Sequence, residues 1–302
     1  MKRTKIIVTG GAGFIGSHLT DALINKGFDV TVIDNLSLGK KQNINPKAKF
    51  YKKDIKNLKQ IEPLFKNIDY VFHLAAQPRI QPSIINPIES HKDNVDGTLN
   101  VLTAARNNKV KKLIYSASSS VYGDQDKLPL TENMDPKPKN PYALFKLIGE
   151  KYCKLFSDLY KLPTVCLRYF NVYGPRQISE GAYATVIGIF LKQKKQNKPL
   201  TIVGDGKQTR DFTHVKDIVR ANLLAMKKSK ARNGEIINIG TGKNYTINQI
   251  AKLIEGKTKY IEQRPGESRD TLASIKKAKE ILSWEPKISI EQGIEELKKL
   301  DN

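Results

Sequence analysis

Val8-Thr9-Gly10-Gly11-Ala12-Gly13-Phe14-Ile15-Gly16-Ser17-His18-Leu19 is the stretch whose reading decides the fold. The β-rich run Lys5–Thr9 feeds into it, and 14–26 continues it with apolar residues at helical spacing, ending at Gly27. A strand, a glycine turn and a helix in that order open a parallel α/β unit. One glycine permits the sharp turn, another lets backbone approach a pyrophosphate, and Gly16 lets helix and strand pack closely. The helix N-terminus then offers amide donors and a positive dipole end to phosphates. The second strand, Val30 to Ile33, is closed by Asp34, at the spacing where an acid meets the adenosine ribose. Asp34 accepts from ribose hydroxyls and repels a 2′-phosphate, so NAD is expected over NADP, although Lys40 and Lys41 lie nearby.

Outward from this turn, apolar runs alternate with helical patterns, which predicts a doubly wound parallel sheet of the Rossmann type. Further strands are expected at Phe50-Tyr51, 70–74, 112–116 and 164–168, and helices over 89–107 and Pro141–Tyr160. After about 170 the rhythm loosens into short elements, as a smaller α/β substrate-binding lobe would. The expected division is 1–170 for nucleotide binding, with about 212–240 returning to it, and 171–302 for substrate.

The chain has 302 residues, 39% hydrophobic and 27% charged, the composition of a soluble globular protein. Its N-terminal apolar run is too short for a signal peptide and no stretch reaches a membrane span, so a cytoplasmic enzyme is expected. Cys153 and Cys166 lie in apolar-periodic segments and read as buried reduced thiols. The four histidines are scattered and no Cys/His spacing suits a metal. The formal charge of +22 raises the question of nucleic acid, but basic residues are spread along the whole chain without an aromatic-basic module. A lysine-rich surface that draws in an anionic substrate accounts for it better.

Tyr142-Ala-Leu-Phe-Lys146 places a phenol and an ammonium on one helical face. A free phenol is a poor base at neutral pH, with a pKa of about 10. A neighbouring cation and a positive nicotinamide ring favour its ionised form. Ser116-Ala117-Ser118-Ser119-Ser120 follows a strand and offers hydroxyls to the same reacting oxygen.

Taken with His73-Leu74-Ala75-Ala76, Ser118-Ser119-Ser120-Val121-Tyr122-Gly123, Pro141-Tyr142-Ala143, Arg168-Tyr169-Phe170-Asn171-Val172-Tyr173-Gly174-Pro175 and Arg210-Asp211-Phe212, these motifs mark a family. The chain resembles, over nearly its full length, the extended short-chain dehydrogenase/reductases, and among them the nucleotide-sugar 4-epimerases of the UDP-glucose/UDP-N-acetylglucosamine type. The resemblance implies that Tyr142 transfers the proton, that Lys146 holds the cofactor ribose and lowers the tyrosine pKa, and that Ser118 bonds the reacting hydroxyl. It implies cofactor contacts from Gly10, Gly13, Phe14, Ile15, Gly16, Asp34, Asn35, Leu74, Ala75, Ala76 and Ser116. It also puts Asp54 and Ile55 at the adenine, Asn94 as a brace and Phe170 near the nicotinamide. Substrate contacts fall to Ser118, Ser119, Ser120 and Tyr142 on the sugar, Asn171, Arg210 and Arg264 on the diphosphate, and Glu267 on the uridine ribose.

The implied reaction is C4 epimerisation of a UDP-hexose or UDP-N-acetylhexosamine through a 4-keto stage, with tightly held NAD. Dehydratase relatives carry an Asp-Glu pair at the serine triplet, and decarboxylase relatives a glutamate. Here there is no carboxyl, which points to plain epimerisation. Thr271 is small where a bulky tyrosine excludes N-acetylated sugars, and Gly181-Ala182-Tyr183-Ala184 also looks like the N-acetyl-tolerant group. Gln77-Pro78-Arg79 departs from the family pattern, and Arg79 could face an acidic sugar, which keeps a uronate open. A non-catalytic NAD- or RNA-binding protein on the same fold is the reading from a different class. Similar proteins are homodimers that pair two long helices, here 89–107 and 141–160, into a four-helix bundle.

Overall fold

The computed structural model describes residues 3–181, 184–263 and 265–301. Seven parallel strands form the central sheet, in the spatial order Glu235–Ile239, Thr164–Tyr169, Lys112–Ser118, Tyr70–His73, Lys5–Thr9, Asp29–Asp34 and Lys49–Lys52. The expected strands all appear within two or three residues of their expected ends, and the α/β doubly wound class holds. The chain order reverses beside Lys5–Thr9, whose neighbours are Asp29–Asp34 on one side and Tyr70–His73 on the other. That reversal opens a crevice at the carboxyl ends of the strands, where such sheets bind ligands.

Alternation along the strands builds two cores. Ile6, Val8, Val30, Val32, Ile114, Val165 and Leu167 face helices Phe14–Asn25 and Val215–Lys227. Ile7, Ile33, Leu113, Tyr115 and Cys166 face helices Gly97–Asn107 and Pro141–Tyr160. Cys153 and Cys166 are both buried and reduced. A third cluster, with Ile187, Phe190, Leu200, Phe212, Ile250 and Ile294, gathers the later helices around two short parallel strands, Leu200–Val203 and Thr258–Ile261.

The helix expected over 89–107 starts at Pro87 and is interrupted: Pro87–His91 and Gly97–Asn107 are α-helical, and Lys92–Asp96 between them is a π-turn. The interruption has a tertiary cause. Asn94 turns inward and its amide donates to Ser90 O at 2.8 Å and to Gln77 O at 3.1 Å, which ties the helix to the loop after strand Tyr70–His73. Such single turns often mark functional regions. Among the described residues no helix is long and apolar enough to cross a membrane.

Candidate active site

A cavity of about 730 Å³ runs along the carboxyl ends of the strands and under the third cluster, within the usual range for a small-molecule site. Its floor begins at the glycine turn. Gly10 has φ +73°, and a Cβ there would lie 2.7 Å from Ala75 N. A Cβ on Gly16 would lie 2.1 Å from Gly10 O. These two positions hold the turn flat against the sheet and keep side chains out of the cavity. Helix Phe14–Asn25 has Gly13 as its N-cap, with no side-chain cap and no acid in its first turn. Its amides therefore face the cavity without a carboxylate to occupy them, which fits a pyrophosphate.

At the end of the next strand Asp34 is buried. One carboxylate oxygen accepts from Ala12 N at 3.0 Å and the other from Leu36 N at 2.8 Å. Burial raises its pKa, while those two backbone donors lower it. Each oxygen keeps a lone pair for a ribose hydroxyl, and the pair of donors fixes its direction. Asn35 donates to Asp54 at 3.1 Å, and Asp54 and Ile55 line the same end. The donors, the glycine cradle and the acid together fit an NAD adenosine and pyrophosphate.

At the other end stands helix Pro141–Tyr160. Asn140 caps it by accepting from Ala143 N at 2.9 Å, and Pro141 pre-sets its first turn. Tyr142 and Lys146 then point into the cavity from one face. Lys146 is almost wholly buried and donates to Ser116 O at 2.8 Å, lying 5.0 Å from the centre of the Tyr115 ring. Burial pulls its pKa down to about 8, against the opposing pull of Glu150 one turn further on. Glu150 is itself clamped by Arg168, with bonds of 2.8 and 2.7 Å and both side chains 1% exposed.

Tyr142 is pushed up by burial and pulled down by a hydrogen bond from Ser118 and by the Arg79 guanidinium. Lys146 lies 6.0 Å from its ring centre. The side-chain cation that favours the Tyr142 phenolate is Arg79. The sequence had pointed to Lys146, whose ammonium is turned toward the Ser116 carbonyl. Ser118 Oγ also accepts from Ser120 N and from Ser120 Oγ at 2.9 Å, so Ser118 and Ser120 form a connected hydroxyl pair.

Most of the expected residues line this one cavity: Gly10, Gly13, Phe14, Ile15, Gly16, Leu74, Ala75, Ala76, Ser116, Ser118, Ser119, Ser120, Asn171, Arg210, Glu267 and Thr271 among them. Asn171 donates to Asp211 O and to Thr271 Oγ1, and Arg210 to two backbone carbonyls while lying 3.6 Å from Glu267. Two expected residues stand behind the wall instead. Phe170, just past the end of strand Thr164–Tyr169, is fully buried against Val121, Tyr122 and Leu130, while its neighbours Tyr169 and Asn171, the latter at φ 24°, line the cavity. Asn94 braces the Gln77 loop from behind. Arg264 lies outside the described residues. Sequence reasoning missed Ser83, whose hydroxyl accepts from Tyr142 N at 3.0 Å, and Glu150, although the spacing 142, 146, 150 placed it on the same face.

The chain is similar to several solved structures. It is 41% identical to the UDP-glucose 4-epimerase of Thermotoga maritima with UDP-glucose, covering 99% of this chain and 100% of that one, with a TM-score of 0.95. It is 39% identical to the UDP-N-acetylglucosamine 4-epimerase of Methanobrevibacter ruminantium in complex with UDP-N-acetylmuramic acid, over 99% and 98% of the two chains, with a TM-score of 0.93. It is 36% identical to the UDP-glucuronic acid 4-epimerase of Bacillus cereus in complex with UDP-glucuronic acid and NAD, over 98% and 100%, with a TM-score of 0.91. The profile of the NAD dependent epimerase/dehydratase family matches residues 6–240, and the chain belongs to that family.

Proposed function

We propose that the chain is an NAD-dependent UDP-sugar 4-epimerase. The observation that carries this reading is the convergence of Tyr142, Lys146 and Ser118 on one cavity whose other end is the glycine turn with Asp34. NAD, when bound, supplies the acceptor and donor for the hydrogen on C4. Tyr142, as phenolate, takes the proton of the sugar 4-hydroxyl and later returns it. Ser118 steadies that oxygen, and Lys146 orients the cofactor ribose from a position where its ammonium lies over the Tyr115 ring. The triplet Ser118-Ser119-Ser120 brings no carboxyl to the sugar, so elimination from the 4-keto stage has no acid–base pair to drive it. Asn171, Arg210 and Glu267 suit the diphosphate and the uridine ribose, the guanidinium offering a planar fork to phosphate.

The small Thr271 is consistent with room for an N-acetyl group, so UDP-GlcNAc/UDP-GalNAc is the preferred pair, with UDP-Glc/UDP-Gal also accepted. Separate incubations with UDP-GlcNAc, UDP-Glc and UDP-GlcA, followed by NMR at C4, test this. Turnover of UDP-GlcA alone would replace the neutral-sugar reading with a uronate one.

We also propose that residues 171–302, apart from about 212–240, which return to the central sheet, form the lobe that covers the substrate, and that the enzyme is a homodimer. Ile85 and Ile88 are 79% and 69% exposed, and Leu144, Leu155 and Leu159 make an exposed stripe on helix Pro141–Tyr160, opposite Lys146. Pairing those faces about a two-fold axis would bury them in a four-helix arrangement. A monomer by light scattering at micromolar concentration would sink that part.

A further inference from the structure

Arg79 occupies a backbone conformation with φ 92° and ψ 148°, a region that glycine alone enters without strain. Nothing in the local chain demands an arginine there. The loop that carries it is tied on both sides. Gln77 O accepts from the buried Asn94, and Gln81 Nε2 donates to Pro265 O at 3.0 Å. Ser83, four residues on, accepts from the backbone N of Tyr142 itself. The loop is thus fixed relative to the first turn of helix Pro141–Tyr160, and the arginine between these ties lines the same cavity as Tyr142. Its charge acts on two groups, the Tyr142 hydroxyl and the Glu267 carboxylate. Lys146 is directed elsewhere, onto Ser116 O.

We propose that Arg79 is a positioning residue for the reaction: its guanidinium is the fixed counter-charge of the Tyr142 phenolate, held in the shared cavity by a strained and clamped loop. The inference rests on the reading that Tyr142 exchanges the proton of the sugar hydroxyl. Arg79 stays protonated throughout, while the proton passes from the hydroxyl to the phenolate and back. An opposite charge at close range favours the ionised form. Glu267 is shared with Arg210, 3.6 Å away, so it opposes Arg79 only in part.

Arg79→Gly suits the backbone and keeps the fold, and Arg79→Lys keeps the charge on a different stem. Tyr142 is titrated by tyrosinate absorbance in the holoenzyme without substrate. The signal is each protein minus its Tyr142→Phe counterpart, at matched nucleotide content. In Arg79→Gly the midpoint should rise by about one pH unit or more, with Arg79→Lys between that and the parent. The acidic limb of kcat/KM on a neutral UDP-hexose should move in step, with KM changed less than about twofold. A midpoint in Arg79→Gly that stays with the parent overturns the proposal. So does an unmoved limb with a raised KM confined to carboxylate-bearing UDP-sugars, which would make Arg79 a reader of the sugar acid. Full activity in Tyr142→Phe would instead remove the reading beneath it, and the titration separates the two failures.

Discussion

Replacing Lys146 by Met should make the protein more stable and nearly inactive. Lys146 is 4% exposed, and burial brings its pKa from 10.5 to about 8. A gap of about 2.5 units, at about 1.4 kcal/mol each, is roughly 3 kcal/mol held against the folded state at neutral pH. Met removes that penalty and packs its thioether against Tyr115. It forfeits the bond to Ser116 O, worth about 1 kcal/mol. The net gain is about 2 kcal/mol at pH 7, or a melting temperature higher by about 4 °C. The sign has a pH signature. The folded chain binds this proton less tightly than the unfolded chain, so the penalty is complete below pH 8. It is relieved as pH rises toward 10.5, where folded Lys146 is already neutral and the unfolded lysine still charged. Urea unfolding of nucleotide-free parent and variant should therefore show the variant ahead at pH 7 and the difference gone near pH 10. A variant less stable at pH 7, or a difference unchanged between the two pH values, would refute the reasoning.

Three further outcomes follow from the same geometry. Asp34→Ser removes the carboxylate that faces the ribose, so preference for NAD over NADP should fall by about 100-fold or more; fluorescence titration with both nucleotides reads it. Gly16→Ala puts a methyl 2.1 Å from Gly10 O, and the purified variant should carry little or no NAD, measured by absorbance of the acid-released nucleotide. Glu150→Leu strands the buried Arg168 and should cost about 3–5 kcal/mol, whereas Glu150→Leu with Arg168→Leu should recover most of it; denaturant midpoints decide between them.

The sheet was legible because its strands are short apolar runs bounded by turn residues, and the nucleotide end because the glycine turn and Asp34 are local features of sequence. Tyr142, Lys146 and the serine triplet were legible for the same reason: a four-residue helical spacing and a strand end. What lay beyond reading depends on contacts distant in sequence. The π-turn at Lys92–Asp96 arises from Asn94 bonding to a loop 17 residues away. The division of labour between Lys146 and Arg79 depends on which carbonyl the ammonium finds. Phe170 is placed at the nicotinamide by resemblance, but it lies past the strand end beside Asn171 at φ 24°, so its direction is set by packing against Val121, Tyr122 and Leu130. Arg79 drew notice as a departure, but its backbone conformation could not be read from the letters.

The central claim is that hydrogen leaves C4 and returns to it inside the site, with Tyr142 handling only the hydroxyl proton. Turnover of UDP-GlcNAc and UDP-Glc in deuterated water, without added nucleotide, tests it most directly. The expected product is the C4 epimer with protium retained at C4, with no product from Tyr142→Phe. Deuterium at C4, or no epimer from either sugar even with NAD added, would contradict it.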